Sequence, residues 1–170
     1  MRPEFFNNRD YINRGIGGQT TPQMLLRFRE DVINLNPSVV IILAGTNDIA
    51  GNSGYISLES IIDNIKSMSE IANANGIKVI ISSILPAIDY PWKPGLDPAP
   101  KINKINKALK VFSEENNFIY LDYYAAMIDD KGGLKVPEYT SANDLVHPNK
   151  NGYLVMEKLA EIAINKALPK

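Results

Sequence analysis

Cysteine is absent from this 170-residue chain, which excludes disulfides, thiol nucleophiles and thiolate metal ligands. Histidine and tryptophan each occur once. One imidazole without thiols cannot supply a zinc site of ordinary composition, and no motif implies a cofactor. Charge of neither sign dominates: the formal net charge is -1 and the pI about 5.9. No basic run supplies the electrostatic footprint of a nucleic-acid binder. No apolar stretch nears the roughly 20 residues that span a bilayer, and the longest, VVIILAG at 39–45, is strand-length. The N-terminal MRPEFFNNRDY has no apolar segment of the kind a secretory leader needs. A leader upstream of Met1 would export the protein, so the compartment stays open.

What is present reads as one soluble domain over residues 1–170. At 45% hydrophobic and 22% charged, the chain can bury a core and is not disordered. Tyr11 to Arg14 reads as a short strand entering the turn GIGGQTT at 15–21. Thr21-Pro22 opens a helix, with Met24, Leu25, Phe28, Val32 and Leu35 at helical spacing until Pro37. Val39 to Ala44 is a β-branched run expected to be a strand buried on both faces. Helical period returns over 58–75, a second buried strand over Ile77–Ile84, a helix over 101–116 and a strand over Phe118–Asp122. A last helix is expected from about Asn149 to Leu168. Strands alternating with helices imply an α/β sandwich around a parallel sheet.

In such sheets, ligands collect beyond the carboxyl ends of the strands, and three segments stand there. GIGG lacks the third glycine of a dinucleotide fingerprint, because Thr20 occupies that place, so a tight turn explains it equally well. In GTND at 45–48, Asn47 offers a carboxamide N–H suited to a developing oxyanion, although Asn47 and Asp48 can also bond their own loop. DLVHPN at 144–149 places Asp144 three residues before His147. Histidine moves protons near neutrality, and a carboxylate on its other nitrogen fixes the tautomer. A structural histidine with Asn149 capping the last helix is the bland alternative.

Taken together and in this order, GIGG, GTND and D-x-x-H-P resemble the SGNH hydrolases, also called the GDSL esterase/lipase family. The resemblance covers essentially the whole chain, and the likeness is to bacterial acylhydrolases of the lysophospholipase and acetylesterase kind. It implies a three-layer α/β/α flavodoxin-like fold with a parallel sheet. It also implies that the Gly18 N–H and the Asn47 side chain form an oxyanion hole, that Asp144 orients, and that His147 is the general base. The implied partner is a small ester, on acetylated carbohydrate or a lysophospholipid-like alcohol.

The resemblance also exposes a gap. The family's Gly-Asp-Ser motif follows a first strand, yet no serine occurs among the fourteen residues before Gly15. Ser53 in GNSG imitates the motif but follows GTND, and Ser82, Ser83 and Ser141 stand in a strand or a polar loop. We favour a truncated esterase over a natural pseudoenzyme, because Gly18, Asn47, Asp144 and His147 all persist, and we expect the chain alone to be inactive. In the doubly wound order the absent strand would lie centrally. Strand 39–44 would then expose an apolar edge, predicting self-association or a rearranged N-terminus. The loop LPAIDYPWKPGLDPAP carries five of the eleven prolines and should overhang the site with Tyr90 and Trp92. These aromatics suit an acyl pocket or a sugar face. A non-catalytic carbohydrate-binding module is the rival from another class, and a flavodoxin-like nucleotide binder is weaker.

Overall fold

The computed structural model describes residues 3–7 and 10–168. Three parallel strands, β1 (Val39–Ile42), β2 (Lys78–Ser82) and β3 (Ile119–Leu121), lie in the order β1-β2-β3. Val39 to Ile42 align with Lys78 to Ile81, and Ile80 to Ser82 align with Ile119 to Leu121. Each crossover is helical: α3 (Leu58–Ala74) joins β1 to β2, and α4 (Pro98–Glu115) joins β2 to β3. Helix α1 (Thr21–Asp31) precedes β1, the short α2 (Thr46–Ile49) follows it, and α5 (Tyr123–Met127) and α6 (Lys150–Ala167) come last.

The pleat of β2 sorts the core into layers, because successive side chains point to opposite faces. Val79 and Ile81 pack with Phe28, Ile61, Ile65 and Leu109 from α1, α3 and α4. Ile80 faces the other way, with Met156, Ala160 and Ala163 of α6 and Met127 of α5. This is the α/β/α arrangement. Ile80 and Ile81 are fully buried, and each such side chain contributes about 1.5–3 kcal/mol of burial free energy.

Three expectations are corrected. Tyr11 to Arg14 form no strand. An extended segment needs a neighbour to satisfy its backbone, and here Arg14 instead reaches the Asp31 carboxylate, which Arg27 also holds. Those two guanidiniums keep the Asp31 carboxyl below its ordinary value, Arg14 contributing most. Second, α1 ends at Asp31: Ile33–Leu35 form a separate 3-10 turn, closed by Asn36 in the left-handed region at φ 47°. Third, β1 is not buried on both faces. Val39, Val40 and Ile41 are half-buried, because β1 pairs on one side only. Beside this half of the sheet, residues 3–5 form a 3-10 turn whose buried Phe5 lies 5.3 Å from the Tyr11 ring, in the cluster that also holds Val39 and Ile41. The N-terminal aromatics thus cover part of the sheet without extending it.

Candidate active site

The DLVHP turn is held from inside the protein. Val146 is buried in the core cluster that contains Ile84, Ala87 and Tyr90, so Asp144 and His147, on either side of it, face outward. Thr140 Oγ1 donates to the His147 carbonyl at 2.9 Å, and the Asn149 N–H donates to the Tyr139 carbonyl at 2.7 Å. Asn149 then caps α6, its side-chain oxygen accepting from the N–H groups of Asn151 and Gly152. The capping role and the presentation of His147 therefore coexist.

Within the turn, Asp144 Oδ1 accepts the backbone N–H of His147 at 2.8 Å and that of Val146 at 3.2 Å, and it lies 2.8 Å from His147 Nδ1. Partial burial pushes the Asp144 carboxyl up, but the backbone and ring bonds from His147 and the Val146 N–H outweigh it, leaving Asp144 below its ordinary value. A carboxylate on Nδ1 assigns the ring proton there and leaves Nε2 with a free lone pair. The His147 side chain is 66% exposed, so that lone pair is reachable.

The GIGG and GTND segments meet one another. The Asn47 Nδ2 group donates to the Gln19 carbonyl at 2.9 Å, and Asn52 Nδ2 bridges the Gly18 carbonyl at 3.1 Å and Asn47 Oδ1 at 3.2 Å. Gly18 sits at φ +78°, a conformation natural to glycine. Its N–H has no hydrogen-bond partner among the described residues, nor has the second N–H of Asn47. Deeper, Asp48 does not bond its own loop alone. It accepts the Thr21 N–H at 2.9 Å and the Thr21 hydroxyl at 2.6 Å, and Asn64 donates to that hydroxyl at 3.1 Å. Asp48 is buried, and desolvation raises its carboxyl above the ordinary value despite the Thr21 bonds. This buried link fixes the start of α1 to α2.

The proline-rich loop closes the rim. Lys93 Nζ donates to the Ala50 carbonyl at 2.9 Å, and the Trp92 ring stacks on His147 with centroids 5.8 Å apart. Tyr90, fully buried, stacks on Trp92 at 5.2 Å. A shallow depression of about 400 Å³ is bounded by Pro91, Trp92, Ser141, Asn143, Asp144 and His147. The loop lies against the histidine. Sequence reading gives Asp48 only a bond within its own loop, and it passes over Asn52 and Lys93, whose partners are 34 and 43 positions away.

Three of the four serines weighed above are otherwise engaged. Ser53 Oγ lies 3.0 Å from Thr20 Oγ1. Ser82 and Ser83 are buried, Ser82 donating to the Ser83 carbonyl and Ser83 accepting the Tyr124 N–H. Ser141 lines the depression beside His147. No group of three or more His, Cys, Asp or Glu among the described residues could hold a metal ion, and among them no helix is long and apolar enough to cross a membrane.

The chain is 31% identical over 141 residues to the uncharacterized lipoprotein YqeF of Bacillus subtilis, covering 81% of this chain and 49% of that protein. It is 26% identical over 155 residues to platelet-activating factor acetylhydrolase IB subunit alpha2 of Homo sapiens, covering 88% and 62%. The chain thus spans about half to three fifths of the curated relatives it matches. A solved GDSL-like lipase from Bacteroides thetaiotaomicron shares 47% identity with a TM-score of 0.92, over 98% of this chain and 80% of that one. The model of the GDSL-like Lipase/Acylhydrolase family matches residues 3–155, so the chain belongs to that family.

Proposed function

We propose that the chain is the body of a serine-type carboxylic ester hydrolase acting on small acyl esters. The observation that carries the proposal is the Asp144–His147 pair at 2.8 Å, presented with Nε2 free at the rim of the sheet. His147 takes the proton of an attacking hydroxyl and returns it to the leaving alcohol; Asp144 holds the imidazole and stabilises its cation. The Gly18 N–H and the second Asn47 N–H, both without a partner among the described residues, are the oxyanion donors of this reading, a role worth about 10²–10³ in rate per donor in comparable sites. The attack forms an acyl-enzyme, and water on the same base releases it.

A relative named as an acetylhydrolase supports a small acyl group. An acetylated carbohydrate or a lysophospholipid-like alcohol fits a depression this shallow and open. The binding-module reading is weaker, because the Trp92 ring stacks on both Tyr90 and His147. Among the described residues no serine is hydrogen-bonded to His147, so the proposal assigns the nucleophile to none of them. The chain alone is then inactive or nearly so.

The test is hydrolysis of p-nitrophenyl acetate by this chain and by the protein extended upstream through its reading frame. Activity in the extended form alone is expected. Activity in neither sinks the esterase reading. Activity in the short chain directs attention to Ser141, which shares the depression with His147, and away from Ser53, which is tied to Thr20.

A further inference from the structure

We infer that Trp92 is a positioning residue for the base: the strap of residues 89–95 sets the plane of the His147 ring through the Trp92 stack. This rests on the reading of His147 as the base and adds to it a residue that carries no charge and takes no proton.

Asp144 alone leaves the imidazole underconstrained. Its bond to Nδ1 fixes one atom of an imidazole that is two-thirds exposed. The Cβ–Cγ bond and this one contact hold the ring along a single edge, and rocking about that edge moves Nε2, on the far side, furthest. Misplacement of a reacting group by about 1 Å can cost about a hundredfold in rate. A second constraint, on the ring face, is needed.

Trp92 supplies it. Its ring centroid is 5.8 Å from that of His147, with 29° between the planes. Stacking of this kind favours offset, near-parallel rings, and the indole is large enough to limit the tilt of the imidazole. The indole in turn lies 5.2 Å from the Tyr90 ring at 22°, and Tyr90 is fully buried. The three rings therefore run from the core to the solvent-facing base.

The backbone that carries them is closed on itself. The Asp89 carboxylate accepts the N–H groups of Tyr90 at 2.8 Å and Gly95 at 3.1 Å, and the Lys93 N–H donates to the Tyr90 carbonyl at 2.8 Å. Lys93 Nζ then bonds the Ala50 carbonyl on the segment that follows Asn47 and Asp48. A side chain on Gly51 would come within 2.8 Å of that ammonium, so the approach is close. The same strap thus touches both halves of the site: Lys93 reaches the segment beside the Asn47 donor, and Trp92 reaches the base. A loop whose only task was to bury Trp92 would not leave it 50% exposed against the histidine.

The chain's single histidine makes the test direct. The ring proton on Nδ1, bonded to Asp144, should give one downfield proton resonance in this 170-residue chain, with no other imidazole to confuse it. We expect the resonance to be sharp in the unsubstituted chain, lost or broadened beyond detection in Trp92→Leu, and retained in Trp92→Phe, which keeps an aromatic face. Because Trp92 is half-exposed, Trp92→Leu should unfold at nearly the same temperature as the unsubstituted chain, which separates positioning from folding. In the extended protein, Trp92→Leu should lower kcat about tenfold while KM stays within about twofold. A resonance as sharp in Trp92→Leu as in the unsubstituted chain overturns the inference, and so does its absence from both. The resonance is read without substrate, so failure of the esterase assay and failure of this assignment are separate results.

Discussion

His147 Nδ1 lies 2.8 Å from Asp144 Oδ1, the same oxygen that accepts the His147 backbone N–H at 2.8 Å. One carboxylate oxygen thus holds both the turn and the Nδ1 edge of the ring. Asp144→Asn keeps an oxygen for the backbone but removes the charge that stabilises the imidazolium. In the extended, active protein we expect kcat for p-nitrophenyl acetate to fall about 10³- to 10⁴-fold, with the thermal midpoint changed little. A loss below tenfold would remove Asp144 from the catalytic machinery.

Asp48 should leave a signature in the pH dependence of stability. Its folded-state pKa is raised, chiefly by desolvation, so the folded protein holds this proton more tightly than the unfolded chain does. Its favourable contribution is fully present below the ordinary aspartate range and is lost as pH rises through the raised value. Asp48→Asn cannot ionise and escapes that loss. Urea unfolding at pH 4 and pH 7 should therefore show the variant gaining on the unsubstituted chain as pH rises. A gap that widens in favour of Asp48 at pH 7 would mean that the Thr21 bonds outweigh burial.

Gly45 is the pivot between β1 and the Asn47 segment. It adopts φ +117°, and a Cβ built there would meet Ile84 Cδ1 at 2.5 Å, in a fully buried part of the core. Gly45→Ala should combine backbone strain with overpacking and cost about 2–4 kcal/mol, read as a lower melting temperature. An unchanged midpoint would show that β1 can end in another conformation.

Much of this was legible in the residues themselves. The β-branched run that begins at Val39 and the Ile77–Ile84 run mark strands because consecutive apolar, β-branched side chains suit a sheet, but only the second is buried from Val79 to Ser82. Asp144 and His147 are three positions apart, so their pairing is a local event. The strap was not legible beyond its general position: Lys93 and Ala50 are 43 residues apart, and nothing in either residue names the other. Tyr11 to Arg14 failed as a strand because β-structure is a property of pairs, and among the described residues this segment pairs with no strand. Helix α5 was passed over because five residues, capped by Asp122 accepting the Ala125 N–H, are too short to show a period.

The most direct test of the account is p-nitrophenyl acetate hydrolysis by the upstream-extended protein with His147 intact and with His147→Ala. The account predicts activity in the first and a loss of about 10³-fold or more in the second. Equal activity in the two would contradict it, because hydrolysis would then be running without the base on which the whole site is built.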